Sequence, residues 1–379
     1  MPSEKQALER KENIALILEY LRVHGPKSRR ELSAELQLSW GCISELVSIL
    51  LERGILLEGI IENTGRKGRI PSVLSLNDRI CFLGVDINRM GLKAAVCNLC
   101  GQKTAQYSGE IAFSSKEALM DSVSDFISDV REKHSNLFGI GFAMQGIHDE
   151  KEDVWSFPSE ECIIIDFNKD FGDKLDIPFM VEHDPDCILY GSLNHESGSS
   201  KMVLRLDRGI GATVYKEKAI ARNNAMEIGY MVINEQGDRL HDVVSLSAIE
   251  KQCGINLHGK KEHIGGCAEG RVTLKHAEVG TTLEHAEERE NFARAEVREA
   301  FERAGRFLGI ALGNICNLLN LDEILLCGEM VQYYEWFVDS LDIYYKKTVL
   351  PMQEARISAI HITDAAFGAA KMIMERYIG

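Results

Sequence analysis

The sequence lacks apolar runs long enough to cross a membrane, and it lacks a regular cysteine framework. No stretch of 18 apolar residues occurs, and the N-terminus has no apolar segment of the secretion-signal type, so we expect neither a membrane span nor export. The 10 cysteines are scattered, which is typical of a reducing cytoplasm. Cys97 and Cys100 form a lone C-x-x-C, which is too few ligands for zinc and fits a turn between two strands better.

Positive charge is scarce as well. The formal net charge is −15 over 379 residues, which argues against a protein that coats nucleic acid over its whole surface. The charge is uneven along the chain, because residues 1–80 contain 12 Lys and Arg against 11 Asp and Glu. The acidic excess therefore lies in the rest of the chain, which is long enough for two or three domains. Any contact with DNA is expected to be local.

Three amphipathic segments near the N-terminus predict a helix-turn-helix. Apolar residues recur at helical spacing in residues 8–23, 30–36 and 40–52. Ser39 is placed as the N-cap of the third helix, and Gly54 is placed to end it. The tight joint between the second and third segments is the turn that this motif requires.

A wing is predicted directly after the three helices. Residues 55–60 and 72–76 read as strands, and residues 62–71 between them form a glycine-rich basic loop. The order helix, helix, helix, wing predicts a winged helix-turn-helix DNA-binding domain over residues 1–78, although a purely structural three-helix module remains an alternative. The candidate DNA contacts are Arg29, Arg30, Ser39, Trp40, Gly41, Ser44, Arg66, Lys67 and Arg69.

The remaining chain alternates apolar strands with amphipathic helices, which predicts an α/β body. Among these segments, residues 231–234 read as a strand and residues 240–300 as mostly helical. Residues 284–320 carry the strongest helical period, and we expect them to form two helices. Residues 321–327 predict a buried strand.

Six short motifs occur in an order that resembles the ROK family, named for repressors, open reading frames and kinases. The motifs are Gly-Val-Asp-Ile at 84–87, a glycine-rich loop at 140–146, Val-Glu-His-Asp at 181–184, Gly-Ile-Gly-Ala at 209–212, Glu-Ile-Gly-Tyr at 227–230, and a strand ending in glycine at 321–328. The resemblance covers almost the whole chain. It implies an actin-like, sugar-kinase-type body of two α/β lobes, at 79–195 and 196–379, with the last helices able to pack back on the first lobe.

The sequence departs from the family's kinases at three phosphate-binding positions. Residues 88–90 are Asn-Arg-Met where the kinases have Gly-Gly-Thr, and residues 207–209 are Asp-Arg-Gly where they have Gly-Thr-Gly. Cys327 replaces the first glycine of a late pair. A carboxylate at Asp207 would repel a triphosphate. The resemblance without these motifs implies a protein that is not an enzyme and that needs no cofactor.

The family's zinc site is also missing from the sequence. Tyr230 stands where the family has its ligating histidine, and residues 231–252 contain no cysteine. Neither an imidazole nor a thiolate is available at these positions, so we expect no metal.

The sugar pocket that the resemblance implies is half retained. Asp184 and Glu227 match the family's sugar-binding carboxylates, which suit vicinal hydroxyl groups because each accepts two hydrogen bonds. His183 replaces an asparagine, and His241 aligns loosely with a glutamate. The candidate ligand-binding residues are Asp184, Glu227, His183, Tyr230, His241 and Gln145.

These observations predict a cytoplasmic, homodimeric or higher-oligomeric transcriptional regulator, most simply a repressor of carbohydrate metabolism. Its partners would be double-stranded operator DNA and a sugar or sugar derivative bound between the lobes, and no membrane is involved. Two alternatives stay open. One is a ROK-type sugar kinase with a fused DNA-binding domain, and the other is a regulator that has lost its sugar and answers to a protein partner.

Overall fold

The computed structural model describes residues 4–60, 72–157, 159, 162–172, 174–192, 199–216, 219–220, 226–257, 273–274, 283–360 and 364–378. The chain divides into two compact units. The first unit comprises Met1–Ser192 together with Asp364–Gly379, and the second comprises Leu193–Thr363. Within the described ranges, no helix is both long and apolar enough to cross a membrane.

The first unit begins with three helices and a two-stranded sheet. These elements are α1 (Glu4–His24), α2 (Arg29–Leu36), α3 (Trp40–Glu52), β1 (Leu56–Ile60) and β2 (Ser72–Leu76). The two strands pair antiparallel, as a wing requires. The winged helix-turn-helix expected from the sequence is therefore confirmed in its elements. The proposed wing-tip residues Arg66, Lys67 and Arg69 lie outside the described residues.

Capping and burial explain why these three helices form. Ser28 and Glu31 make a capping box at the start of α2, and the Ser39 side chain accepts a hydrogen bond from the backbone N–H of Cys42 at the start of α3. The apolar stripes of the helices meet in one small core. Its buried members include Ile14, Ile17, Leu18, Leu21, Leu32, Ile43, Leu46, Val47 and Leu50.

A five-stranded sheet with mixed strand directions follows in the first unit. Its chain order is β3 (Cys81–Asn88), β4 (Gly91–Asn98), β5 (Lys103–Gly109), α4 (Lys116–Lys133), β6 (Leu137–Met144), β7 (Ile147–Asp149), β8 (Val154–Phe157), β9 (Ile163–Ile165), α5 (Phe167–Phe171), β10 (Phe179–His183) and α6 (Asp184–Ser192). The sheet order is β10-β6-β3-β4-β5. Strands β3, β6 and β10 are parallel, and β4 and β5 complete an antiparallel meander.

The sequence did not predict the separate three-stranded sheet of β7, β8 and β9. These strands have three or four residues each, too short for a period of two to stand out. The turn between β7 and β8 uses Asp153 in the left-handed region, with φ of 52°. Pairing between short neighbouring segments, rather than a local pattern, creates this sheet.

The second unit is built on another five-stranded sheet, of order β13-β12-β11-β16-β17. Its elements are β11 (Lys201–Leu206), β12 (Ile210–Lys216), β13 (Ala219–Ile220), α7 (Leu240–Val244), α8 (Leu246–Cys253), β14 (Ile255–Asn256), β15 (Thr273–Leu274), α9 (Leu283–Leu319), β16 (Glu323–Cys327), α10 (Tyr334–Thr348) and β17 (Arg356–Ala359). Short 3-10 turns at Ile228–Tyr230 and Glu329–Tyr333 follow β13 and β16. This unit has its own buried core.

Two sequence expectations in the second unit were wrong. Residues 231–234 are not a strand: they make a single bridge, from Val232 to Arg239, and lead into a turn held by Asn234 and Asp238. The described residues of 240–300 are mostly helical, as expected, with the short strands β14 and β15 between the helices. Helix α9 is one continuous helix of 37 residues instead of two. Its glycines at 305, 309 and 313 do not break it, because they admit the close approach of α10 along one face.

The last helix, α11 (Ala365–Ile378), belongs to the first unit. It packs directly on β3, β6 and α6. A Cβ atom at Gly84 or Gly141 would overlap the α11 backbone, and one at Gly368 would overlap the carbonyl oxygen of Cys187. Glycine is required at these contacts because backbone meets backbone, so α11 has little freedom to slide against the sheet and α6.

Candidate functional site

The parallel strands of the first unit bring several predicted ligand residues to one edge of the sheet. Ile87 of β3, Met144 of β6 and His183 of β10 are in register, so the carboxyl ends of the three strands lie side by side. Crevices at this edge are where ligands bind in open α/β sheets. Asp184 follows directly as the first residue of α6, and only 4% of its surface is exposed.

Gln145 has a defined structural partner at this edge. Its side-chain carbonyl oxygen accepts a hydrogen bond of 3.0 Å from the backbone N–H of Arg89. Asn88 donates to a carboxylate oxygen of Asp86 at 3.0 Å and accepts from the N–H of Met90 at 2.9 Å. The turn at 88–90 and the side-chain oxygen of Gln145 are thus occupied by hydrogen bonds within this edge of the sheet.

Sequence reasoning missed Trp155, which contacts His183. The Trp155 ring lies 5.4 Å from the His183 ring and 4.7 Å from the His148 ring, centroid to centroid. His148 and Trp155 are directly paired across β7 and β8, and Asp153 bonds His148 at 3.0 Å. The small sheet therefore orients His183, the residue that replaces the family's asparagine. The one usable sequence signal was a tryptophan just after the glycine-rich loop.

The second unit holds the other predicted ligand residues. Glu227 is half-buried and precedes the 3-10 turn that carries Tyr230, whose N–H donates to the Glu227 carbonyl oxygen at 3.0 Å. The Tyr230 and His241 rings are nearly parallel, with centroids 6.1 Å apart. The Arg239 guanidinium lies 5.0 Å from the Tyr230 ring centroid. Tyr230 and His241 are thus brought together, and no group of three or more potential metal ligands occurs among the described residues.

Asp207 stands at the position of the kinases' second phosphate-binding loop, and two hydrogen bonds from within the protein hold its carboxylate. One of its carboxylate oxygens accepts a hydrogen bond of 2.5 Å from the backbone N–H of Glu329, and the other bonds Nε of Arg205 at 2.5 Å. Burial, followed by the charge of Asp207, raises the pKa of the Glu329 carboxyl. Asp207 and Glu329 therefore lie in a cluster of charges that also includes Arg205 and Arg208.

The DNA-facing candidates lie at the start of α3 and α2. Trp40 and Gly41 are exposed on the first turn of α3, next to the cap residue Ser39, and Ser44 is half-buried one turn further on. Arg30 is exposed on α2. Arg29 instead pairs with Glu58 of β1, so part of its charge is used to hold the wing strand against α2.

Sequence relatives are bacterial sugar repressors. The chain is 22% identical to the xylose repressor of Bacillus spizizenii over 396 aligned residues, covering 98% of this chain and 97% of that protein. It is 21% identical to the DNA-binding transcriptional dual regulator NagC of Escherichia coli over 340 residues, covering 84% and 81% of the two chains.

Solved structures match the fold. A ROK family transcriptional regulator, described as a homologue of the E. coli MLC protein, matches with a TM-score of 0.73 at 17% identity, covering 97% of this chain and 96% of that one. A ROK family glucokinase from Streptomyces griseus matches with a TM-score of 0.57 at 15% identity, covering 77% of this chain and 98% of that one. The body thus has the actin-like architecture of sugar kinases, preceded by the winged module. The ROK family model matches residues 82–374, and the chain belongs to the ROK family.

Proposed function

We propose that this protein is a DNA-binding transcriptional regulator that represses genes of carbohydrate metabolism. The observation that carries the proposal is the winged helix-turn-helix at the start of a ROK body, with the N-terminal turn of α3 exposed for contact with DNA. Relatives that span nearly the whole chain are repressors named for xylose and for N-acetylglucosamine. We propose a cytoplasmic homo-oligomer, because two winged modules are needed to bind two half-sites.

The effector that we propose is a sugar or sugar derivative, for which Asp184 of the first unit and Glu227 of the second unit are candidate ligand residues. Asp184 is buried at the carboxyl edge of a parallel sheet, which is a position suited to binding hydroxyl groups. His183, Tyr230 and His241 differ from the family pattern, so the effector is expected to differ from plain glucose. A ligand regulates only if it binds one of two conformations more tightly, and DNA affinity must differ between those conformations.

Kinase activity is disfavoured by the internal bonds of Asp207. Its carboxylate occupies the backbone N–H of Glu329, and Glu329 itself is a second acidic group. The backbone N–H of Glu329 is therefore not available to a nucleotide triphosphate, and the Asp207 carboxylate would repel its phosphate groups. A coupled assay for ADP release with a broad sugar panel tests this point, and turnover with any sugar would favour the kinase alternative.

The experiment that tests the proposed function is a thermal-shift screen of the full chain with neutral, amino and phosphorylated sugars. A ligand at about 100 times its Kd stabilises the fold by roughly 2.7 kcal/mol, which raises Tm measurably. The same screen is run on Asp184→Ala and Glu227→Ala, with Asp121→Ala, an exposed carboxylate on α4, as the control. We expect a hit that both site variants abolish and the control retains.

The outcomes separate the alternatives. A sugar that shifts Tm and also changes the affinity for a selected duplex supports a sugar-controlled regulator. A chain that binds a specific duplex but responds to no sugar supports the regulator that answers to a protein partner. A chain that selects no duplex contradicts the DNA-binding function itself.

A further inference from the structure

Helix α3, the proposed recognition helix, contains none of the side chains that usually recognise purines. Its sequence, WGCISELVSILLE, contains no arginine, lysine, asparagine or glutamine. Guanine is read mainly by Arg or Lys at O6 and N7, and adenine by Asn or Gln at N6 and N7. The bases that α3 can still distinguish are the pyrimidines, through an apolar contact to the thymine methyl group or a carboxylate contact to the cytosine amino group.

Three polar side chains at the start and on the outer face of α3 have partners within the winged module. Ser48 donates to the carbonyl oxygen of Ser44 at 2.8 Å, and Ser39 accepts from the N–H of Cys42 at 3.2 Å. Glu45, the group that could read cytosine, lies 3.7 Å from the guanidinium of Arg10 on α1. Trp40 and Gly41, in the first turn, are therefore the part of α3 with the fewest bonds to other described residues.

Trp40 presents a large apolar surface outward. It is 58% exposed at the first position of α3, whereas the apolar residues that hold the helix in place are buried on the opposite face. An indole exposed at this position does not contribute to the buried core of the winged module. The thymine 5-methyl group is the apolar feature of the major groove, and an exposed apolar side chain can pack against it.

Gly41 is not required by the fold. A Cβ atom there would meet no atom within 4 Å, and its φ lies outside the left-handed region. A glycine inside a helix is less favourable than alanine, so Gly41 lowers the stability of α3, and no contact in the fold requires it. A position of this kind beside an exposed tryptophan allows the helix backbone to approach an external surface closely.

We propose that α3 recognises thymine-bearing base pairs in the major groove, with Trp40 packing on thymine 5-methyl groups and Gly41 permitting the close approach. This inference rests on the proposed DNA-binding function and specifies its base readout. Ser44 follows one turn later on the same face, where its hydroxyl contacts a base edge or a phosphate. Cations for the DNA backbone come from outside α3, including Arg30.

The test uses the full chain and duplexes that it selects from a random-sequence library. Each thymine of the selected site is replaced by deoxyuridine, which removes only the methyl group. We expect a loss of about fourfold in affinity at each contacted thymine, the value for one buried methyl-sized group. The loss should vanish in Trp40→Ala, since the protein and DNA changes remove the same contact. Glu52→Ala, which changes an exposed carboxylate at the last residue of α3, should keep the deoxyuridine effect.

Gly41→Ala gives a second test, because the stability of the protein and its affinity for DNA should change in opposite directions. The variant should unfold at a higher temperature than the wild type, because alanine favours the helix, and yet bind the selected duplex more weakly. Ser48→Ala, whose hydroxyl bonds its own helix, is the matched control and should leave affinity within about twofold.

Two results would overturn the inference and leave the proposed function standing. One is a selected duplex whose affinity is unchanged by every deoxyuridine substitution. The other is a deoxyuridine effect that persists in Trp40→Ala. If the wild-type chain selects no sequence at all, the proposed function fails and the inference fails with it.

Discussion

The buried thiol of Cys97 contributes to the sensitivity of the fold to alkaline pH. Cys97 on β4 is fully buried, and burial raises the pKa of its thiol from 9.0 to about 12. Above pH 9 the unfolded chain loses this proton while the folded chain keeps it, so the free energy of unfolding falls as pH rises through that window. The slope is about 1.4 kcal/mol per pH unit for one such group, or about 4 kcal/mol in all.

The measurement is urea unfolding of the wild type and Cys97→Ala at a series of pH values from 8 upward. Cys97→Ala loses some packing energy at every pH, so the slope with pH is compared instead of the absolute stability. We expect a shallower slope in this variant, and an unchanged slope in Cys162→Ala, which alters an exposed cysteine. Equal slopes in the wild type and Cys97→Ala would show that Cys97 does not keep its proton in the folded state.

At the same scale, sequence motifs singled out Asp184 and Glu227 as candidate ligand residues but gave no signal for Trp155, which contacts His183. Asp184 and Glu227 stood out because they occur in short recognisable motifs. Trp155 did not, since its contact with His183 depends on the pairing of β7 with β8. The bond from Glu329 to Asp207 likewise forms only because β11 and β16 are parallel neighbours, although the two residues are 122 positions apart in the chain.

At the scale of elements, α11 links the ROK lobe to the winged module. Arg22 of α1 is only 9% exposed in its side chain, pairs with Glu19 at 2.9 Å, and lies 3.9 Å from Glu375 of α11. Glu375 also accepts a hydrogen bond from the hydroxyl of Tyr190 on α6, the helix that begins at Asp184. A chain of polar contacts therefore runs from the helix of the candidate ligand site to the first helix of the DNA-binding module.

Replacing Arg22 should loosen α1 without unfolding the lobe. Arg22→Met keeps much of the length of the side chain but removes the charge that pairs with Glu19 and lies near Glu375, so we expect local stability to fall by about 1–3 kcal/mol. Hydrogen exchange of the α1 amides should then become roughly 10- to 100-fold faster, while exchange in β3 and β6 stays unchanged.

The control for this change is Arg298→Met. Arg298 pairs with Glu302 on α9 at 3.3 Å, but its side chain is 64% exposed, and such pairs contribute less than about 0.5 kcal/mol. Unchanged exchange in α1 of Arg22→Met would mean that the apolar contacts of the module hold it in place without the α11 link.

Elements with strong periodicity were predictable, and elements that depend on distant pairing were not. The three helices of the winged module and the buried strand β16 follow from spacing and caps that are local in the chain. The small sheet β7-β8-β9 has no comparable local signal. Helix α9 was divided wrongly, because the continuity of a long helix is decided by its packing against α10 instead of by its own sequence.

At the scale of the whole molecule, the charge distribution limits how the protein holds DNA. Residues 1–80 are close to neutral, and the rest carries the acidic excess of a chain with net charge −15. An acidic body repels the phosphate backbone, so affinity depends on a few cations in the N-terminal module. Since Arg29 is already paired with Glu58, we expect the basic residues of the predicted wing to make a larger share of any phosphate contacts.

Removing two wing cations should therefore weaken binding to all sequences by a similar factor. Arg66→Ala combined with Lys67→Ala removes two proposed phosphate contacts, and the plot of log affinity against log salt should flatten by roughly 1.8. The measurement is a salt titration with the selected duplex and with a random duplex. The control is Lys151→Ala combined with Lys169→Ala, which removes two exposed cations from the first unit outside the winged module. A slope that is the same in the wing variant as in the wild type would show that the wing does not contact DNA.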